Sequence, residues 1–161
     1  ENKGSEFTVK MPLTQQRAVE ADSETHATAA TAAKPLVPRR VLVVDDNIDA
    51  AGALGMLLMS LGHEARVVYD GLQALNVAAQ FRPDIVLLDI GMPGLDGYEV
   101  AKRLRALDGQ HNVRIIAVTG WGQETDREKS QEAGFDLHLV KPVDTKDLAL
   151  ALSERSGSTL H

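Results

Sequence analysis

The stretch RVLVVDDNIDAAGALGMLLMSLGHEARVVYDG (residues 40–71) decides the fold. It opens on four consecutive β-favouring apolar residues, Val41 to Val44, as in a strand buried on both faces. Two acids follow, Asp45 and Asp46, and then the period changes. Ala50, Leu54, Leu57, Leu58 and Leu61 recur at i, i+4, i+7, i+8 and i+11, which lines one face of a helix, and Gly62 is a stop. From Ala65 to Tyr69 the chain reads as a strand again. Strand, helix and strand in about 30 residues make one βαβ unit, with parallel strands and a right-handed crossover.

The alternation continues outward from this unit. Further strands are predicted at Ile85 to Leu88, Ile115 to Val118 and Leu137 to Val140. Between and after them lie the helical stripes Leu72, Leu75, Ala79; Val100, Leu104, Leu107; and Leu148, Ala151, Leu152. Helix starts are marked by Asp70 with Gln73, by Asp96 with Glu99, and by Asp144. From Gln123 to Gly134 only Ala133 offers an apolar side chain, so a short, weakly packed helix is expected there. Five strands alternating with five helical segments predict an α/β doubly wound parallel sheet with helices on both faces.

In such sheets the functional site lies outside the carboxyl ends of the strands. Here the first strand ends in Asp45-Asp46, the third in Asp89, the fourth in Thr119-Gly120 and the fifth in Lys141-Pro142. Singly, each has a plain explanation as a turn former, a helix cap or a β-prone residue. Together they put three carboxylates, a hydroxyl and an ammonium on one edge. Three carboxylates at a partly buried edge repel one another. Lys141 offsets one charge and a divalent cation would offset the rest. Hard oxygen donors in small number suit Mg²⁺, which keeps several waters and favours phosphoryl groups.

Composition narrows the field. The 161 residues carry 43% hydrophobic and 25% charged residues, an ordinary globular mixture that can bury a core. With no cysteine, disulfide scaffolds, thiolate nucleophiles and Cys-based zinc sites are excluded. The net charge is −6, and Arg40 to Leu152 hold the whole excess, 17 Asp and Glu against 11 Lys and Arg. That balance argues against a nucleic-acid groove. No apolar run approaches the ~20 residues of a membrane span. A soluble, cytoplasmic protein with no direct membrane contact is expected.

Four motifs now stand in order: Val43-Val-Asp-Asp-Asn47, Asp89-Ile-Gly-Met-Pro-Gly-Leu-Asp-Gly97, Val118-Thr-Gly120 and Val140-Lys-Pro142. Over Arg40 to about Leu152 the chain resembles the receiver domain of two-component response regulators. The resemblance implies the flavodoxin-like sheet of order 2-1-3-4-5. It implies that Asp89 is the phosphoacceptor, taking a phosphoryl group from the phosphohistidine of a kinase or phosphotransfer domain. Asp46 and Asp89 would bind Mg²⁺ directly, Asp45 mainly through water, and the backbone carbonyl of Gly91 would complete the protein ligands. Lys141 would pair with Asp89 at rest and with a phosphoryl oxygen afterwards, while the Thr119 hydroxyl and Gly120 amide hold another. Lys141-Pro142 matches a position where the peptide is usually cis. Phosphorylation would then draw Thr119 inward and admit a side chain from the fifth strand, here His138, switching the face between residues 119 and 141. The fragment would catalyse its own phosphorylation and dephosphorylation only.

The flanks carry less. Residues 4–13, Gly-Ser-Glu-Phe-Thr-Val-Lys-Met-Pro-Leu, resemble the last strand of the ATP-binding domain of sensor histidine kinases, although Gly-Ser-Glu-Phe also reads as a cloning scar. Residues 14–38 read as a flexible linker, with Ala and Thr at 11 of 25 positions and no aromatic. The expected organisation is thus 1–13 kinase remnant or added tail, 14–38 tether, 39–155 receiver and 156–161 tail. It suggests the C-terminal receiver of a hybrid sensor histidine kinase, with a free-standing regulator or a non-phosphorylated docking module as alternatives. A haloacid-dehalogenase enzyme would need an acid where Gly91 stands, and a flavin carrier would need an uncharged phosphate loop where Asp45 and Asp46 stand.

Overall fold

The computed structural model describes residues 37–107, 112–120 and 127–153. The readings made for 1–36 and 154–161 lie outside the described residues, as does the 123–126 part of the polar segment. Among the described residues ten elements alternate: β1 (Arg40–Val44), α1 (Ile48–Ser60), β2 (Glu64–Val68), α2 (Gly71–Phe81), β3 (Ile85–Asp89), α3 (Gly97–Ala106), β4 (Arg114–Thr119), α4 (Arg127–Ala133), β5 (Leu137–Val140) and α5 (Thr145–Ser153). All strand pairs are parallel, in the order β2-β1-β3-β4-β5. The expected flavodoxin-like topology is therefore present.

The strand period of two sorts the core into two layers. Leu42, Val44, Val86, Leu88 and Ile115 point to one face, where they meet Ala74 and Ala78 of α2, Val100, Ala101 and Leu104 of α3, and Ala133 of α4. Val41, Val43, Ile85, Leu87, Ile116 and Val118 point to the other, against Ala51 and Leu58 of α1 and Leu148, Ala151 and Leu152 of α5. The central strands β1, β3 and β4 are buried almost throughout, while β2 and β5 at the edges alternate. That is why the central runs read as continuous apolar stretches.

Helix ends follow local chemistry. Asn47, Asp70 and Asp96 accept from the backbone N–H groups of Ala50, Gln73 and Glu99, and Asp144 accepts from Lys146 N–H. At the end of α1, Gly62 takes φ +87°, donates to Met59 O at 3.0 Å, and lets His63 N–H reach Leu58 O at 3.1 Å. These two bonds form a Schellman motif, which needs the left-handed residue that glycine supplies.

Two helical stripes require correction. In α2 the buried residues are Gly71, Ala74, Ala78 and Phe81, whereas Leu72 is 63% exposed and Ala79 is exposed. In α1 the innermost residues are Ala51, Gly55 and Leu58, and Ala50 is exposed. The cause is close packing: a Cβ on Gly55 would come within 2.6 Å of Val67 Cγ2. Where a helix backbone lies this near a sheet, small residues face inward and larger ones flank them. α3 and α5 bury the predicted residues, apart from Leu107, which is half-buried beyond the end of α3. In α4 the inner positions are Ala133, as read, and Ser130.

Candidate functional site

Two strands end where three acids stand. Asp45 follows β1 and is 4% exposed; Asp46, next in the chain, is exposed; Asp89 closes β3 at 7% exposure. Carboxylate oxygens of all three lie within 4.8 Å of one another. Backbone donors hold two of them in place. Asp45 Oδ1 accepts from Asn47 N–H at 2.9 Å, and Asp89 Oδ1 accepts from Gly91 N–H at 2.9 Å. Such Asx turns aim a carboxylate back across the chain that follows it.

Lys141, just after β5, reaches across to the same cluster. Its Nζ donates to Asp89 Oδ2 at 2.9 Å, the pairing that the resemblance implied, and lies 2.6 Å from Asp45 Oδ2. The bridge to Asp45 is the feature sequence reasoning missed. Both carboxylates sit at adjacent strand ends, because β1 pairs β3, and one flexible ammonium can serve both. Burial by itself would lower the Lys141 pKa, but the hydrogen bonds and charges of Asp45 and Asp89 together outweigh it, and the net shift is upward. The Lys141-Pro142 peptide is cis.

Thr119 is the last residue of β4, 4% exposed, with its carbonyl accepting from Lys141 N–H at 2.7 Å. Among the described residues its hydroxyl reaches Leu139 O, over a long 3.5 Å. A bond so long restrains the side chain little. Gly120 follows, half-buried. His138 lies across from Ala117 in the β4–β5 register, two pairs before Thr119 and Val140, so it shares the Thr119 face of the sheet. Its ring is 3.0 Å from Ser130 Oγ of α4 and 5.9 Å from the Phe135 ring. The site residues named from sequence thus gather at one edge, with His138 two residues before the end of β5.

Gly97 was read only as part of a motif, yet the structure gives it a definite task. It opens α3 directly behind the acid cluster, where a Cβ would stand 2.5 Å from the carbonyl oxygen of Asp89 and 2.8 Å from Ile90 Cα. No local pattern announces this, since the contact spans the β3–α3 loop. Beside the cluster, a largely apolar cleft of about 510 Å³ runs between α1 and the β5–α5 connection, with Asp45 and Lys141 in its wall.

Relatives agree with this architecture. Residues 41–153 match the family described as the response regulator receiver domain. Sporulation initiation phosphotransferase F of Bacillus subtilis is 33% identical over 119 residues, covering 74% of this chain and 94% of its own. Transcriptional regulatory protein PrrA of Mycobacterium tuberculosis is 42% identical over 123 residues, and this chain spans only 52% of its length. Among solved structures, the receiver domain of sensor histidine kinase PA1611 from Pseudomonas aeruginosa superimposes with a TM-score of 0.68 at 34% identity, over 76% of this chain and 100% of that one. Its description includes a magnesium ion coordinated in the active site cleft. This chain belongs to the response regulator receiver family, and over residues 41–153 it is a receiver domain of a two-component system.

Proposed function

We propose that this receiver accepts a phosphoryl group on Asp89 from a phosphohistidine of a kinase or phosphotransfer domain. The supporting observation is the cluster itself: three carboxylates within 4.8 Å, two of them sharing one ammonium. Packing like charges this closely is costly, and a structural role would be met by fewer of them. An Asp89 carboxylate oxygen attacks phosphorus in line. The new O–P bond forms as the P–N bond breaks, and the electron pair returns to the imidazole nitrogen of the donor. Lys141 moves from Asp89 to a phosphoryl oxygen, and the Thr119 hydroxyl and Gly120 amide donate to another.

The donor set fits Mg²⁺, being all oxygen and few in number. Asp46, Asp89 and the Gly91 carbonyl would be its protein ligands, with Asp45 beside them. When bound it supplies positive charge to the carboxylates and to the incoming phosphoryl oxygens. Phosphorylation adds about −1.5 to −2 charges and new acceptors. Thr119, weakly held at rest, turns toward them, and His138 leaves Ser130 for the space vacated, remodelling the α4–β5 face.

Intact-mass measurement with acetyl phosphate and Mg²⁺ tests the proposal. One phosphoryl group per chain is expected in the wild type, and none with chelator or in Asp89→Asn. No gain in the wild type would leave a docking module.

For the parent protein we favour a cytoplasmic hybrid sensor histidine kinase, with a kinase remnant at 1–13, a tether at 14–38, the receiver at 39–155 and a tail at 156–161. Two likenesses support it: that of residues 4–13 to the kinase ATP-binding domain, and that of the receiver to PA1611. A free-standing regulator is the alternative, favoured by the match to nearly the whole of phosphotransferase F. Neither reading involves nucleic-acid contact by the receiver itself. Among the described residues no helix is long and apolar enough to cross a membrane.

A further inference from the structure

At the opposite end of the sheet from the acid cluster lies a buried histidine that phosphoryl transfer does not use. His63 is 5% exposed. The Schellman motif closing α1 fixes its backbone, since its N–H is committed to Leu58 O. Its ring Nδ1 accepts from Arg39 N–H at 3.2 Å, so the proton of the neutral ring sits on Nε2. Nε2 is buried and has no protein partner among the described residues. Arg39 is the residue that leads the chain into β1. It is held twice, by His63 through its N–H and by Glu64, whose N–H donates to Arg39 O at 2.9 Å.

We propose that His63 is a proton-operated latch on the segment leading into β1. When neutral, it holds Arg39 by accepting its N–H. A proton on Nδ1 converts the acceptor into a donor facing a donor, and Arg39 must let go. Among the described residues the bond to Glu64 is then what holds the Arg39 backbone, and it lies on an edge strand where fraying is least opposed. The chain entering β1 is then free to fray at Arg39.

The surrounding charges do not rescue a protonated ring. Arg39 is the charge that acts on it, and its sign opposes protonation, after burial itself. Arg40 and Asp84 are engaged with each other, at 2.8 Å from Arg40 N–H to the carboxylate and 3.9 Å between side chains. Arg66 of β2 lies over the Phe81 ring at 4.6 Å. The one charged residue of α1, Asp49, is in its first turn, at the far end of the helix. Glu64, next in the chain, is exposed.

The test follows the ¹⁵N-labelled 161-residue chain by NMR from pH 8 to 4.5. It reads His63 protonation from ring nitrogen shifts and the hydrogen-exchange protection of the Arg39 amide. As pH falls from the ordinary histidine value to the His63 midpoint, Arg39 protection should fall by up to about tenfold per pH unit, the slope of a one-proton linkage, and level off below the midpoint. The Asp45 amide, which donates to Val68 O at the other end of the same strands, should keep its protection across that midpoint. In His63→Gln, whose amide oxygen can still accept, Arg39 protection should lose its pH dependence. Arg39 protection that stays level down to the His63 midpoint, or that still falls in His63→Gln, would overturn the latch. Should His63→Gln not fold, coincidence or separation of the two wild-type midpoints decides.

Discussion

The two ends of one sheet handle charge in opposite ways. At the carboxyl ends of the strands, Asp45 and Asp89 are buried side by side, with Asp46 at the rim and Lys141 shared between the buried pair. At the amino ends, Arg40 and Asp84 pair at the surface, Arg114 is buried with its guanidinium donating to Ala151 O, and buried His63 is kept neutral. The same five strands supply both edges, so the difference does not come from the fold. It comes from which residues were placed where the strands stop. One end keeps its charges apart, and the other crowds like charges together where chemistry needs them.

Removing Lys141 should break the comparison most severely. Lys141→Met leaves Asp45 and Asp89 facing each other without an ammonium. A loss of about 2 kcal/mol is expected in urea denaturation at pH 7, below the ~3–5 of a fully buried pair because the lysine side chain is 28% exposed. Added Mg²⁺ should return part of it, by preferential binding to the folded state. If the variant equals wild type, the acids are not strained.

Gly97→Ala comes next. Its methyl group would drive into the Asp89 backbone, and overpacking of this kind costs about 1–3 kcal/mol. Because the clash is with the backbone of the acceptor residue, phosphorylation rate should fall even in the folded fraction, as an acetyl phosphate time course would reveal. An unchanged rate per folded molecule would mean that α3 does not position Asp89.

The ends should also separate by pH. His63 has its folded pKa lowered, by burial and then by Arg39, so its contribution is full above the ordinary histidine value. It is lost as pH falls through the folded value. Lys141 is raised, so its contribution is full below the ordinary lysine value and lost as pH climbs through the folded one. Thermal midpoints against pH should therefore decline on both sides, with only the acid limb flattened by His63→Gln. The smallest effect is expected for Arg40→Ala. Its ion pair is exposed and long, so no more than about 1 kcal/mol should be lost, less in high salt.

Much of this was legible in the chain. Val41 to Val44, Ile85 to Leu88 and Ile115 to Val118 read as buried strands because both faces of a central parallel strand are covered. Asp70, Asp96 and Asp144 announced helix starts through bonds that close within three residues. The α2 stripe was misread at Leu72 and Ala79, because periodicity weighs size and greasiness and cannot see how closely a helix approaches its sheet.

What the amino-acid order determined alone was local and periodic: strand, helix, cap and stop, and the presence of Asp45, Asp46, Asp89, Thr119 and Lys141 where strands run out. Each of those signals acts over one or two turns of backbone. The tertiary structure decided which carboxylates share Lys141, that Gly97 must lack a side chain, and that His63 closes over Arg39. These depend on how the chain packs across a loop, as at Gly97, or between segments dozens of residues apart, which pairing and packing set and local periodicity does not record.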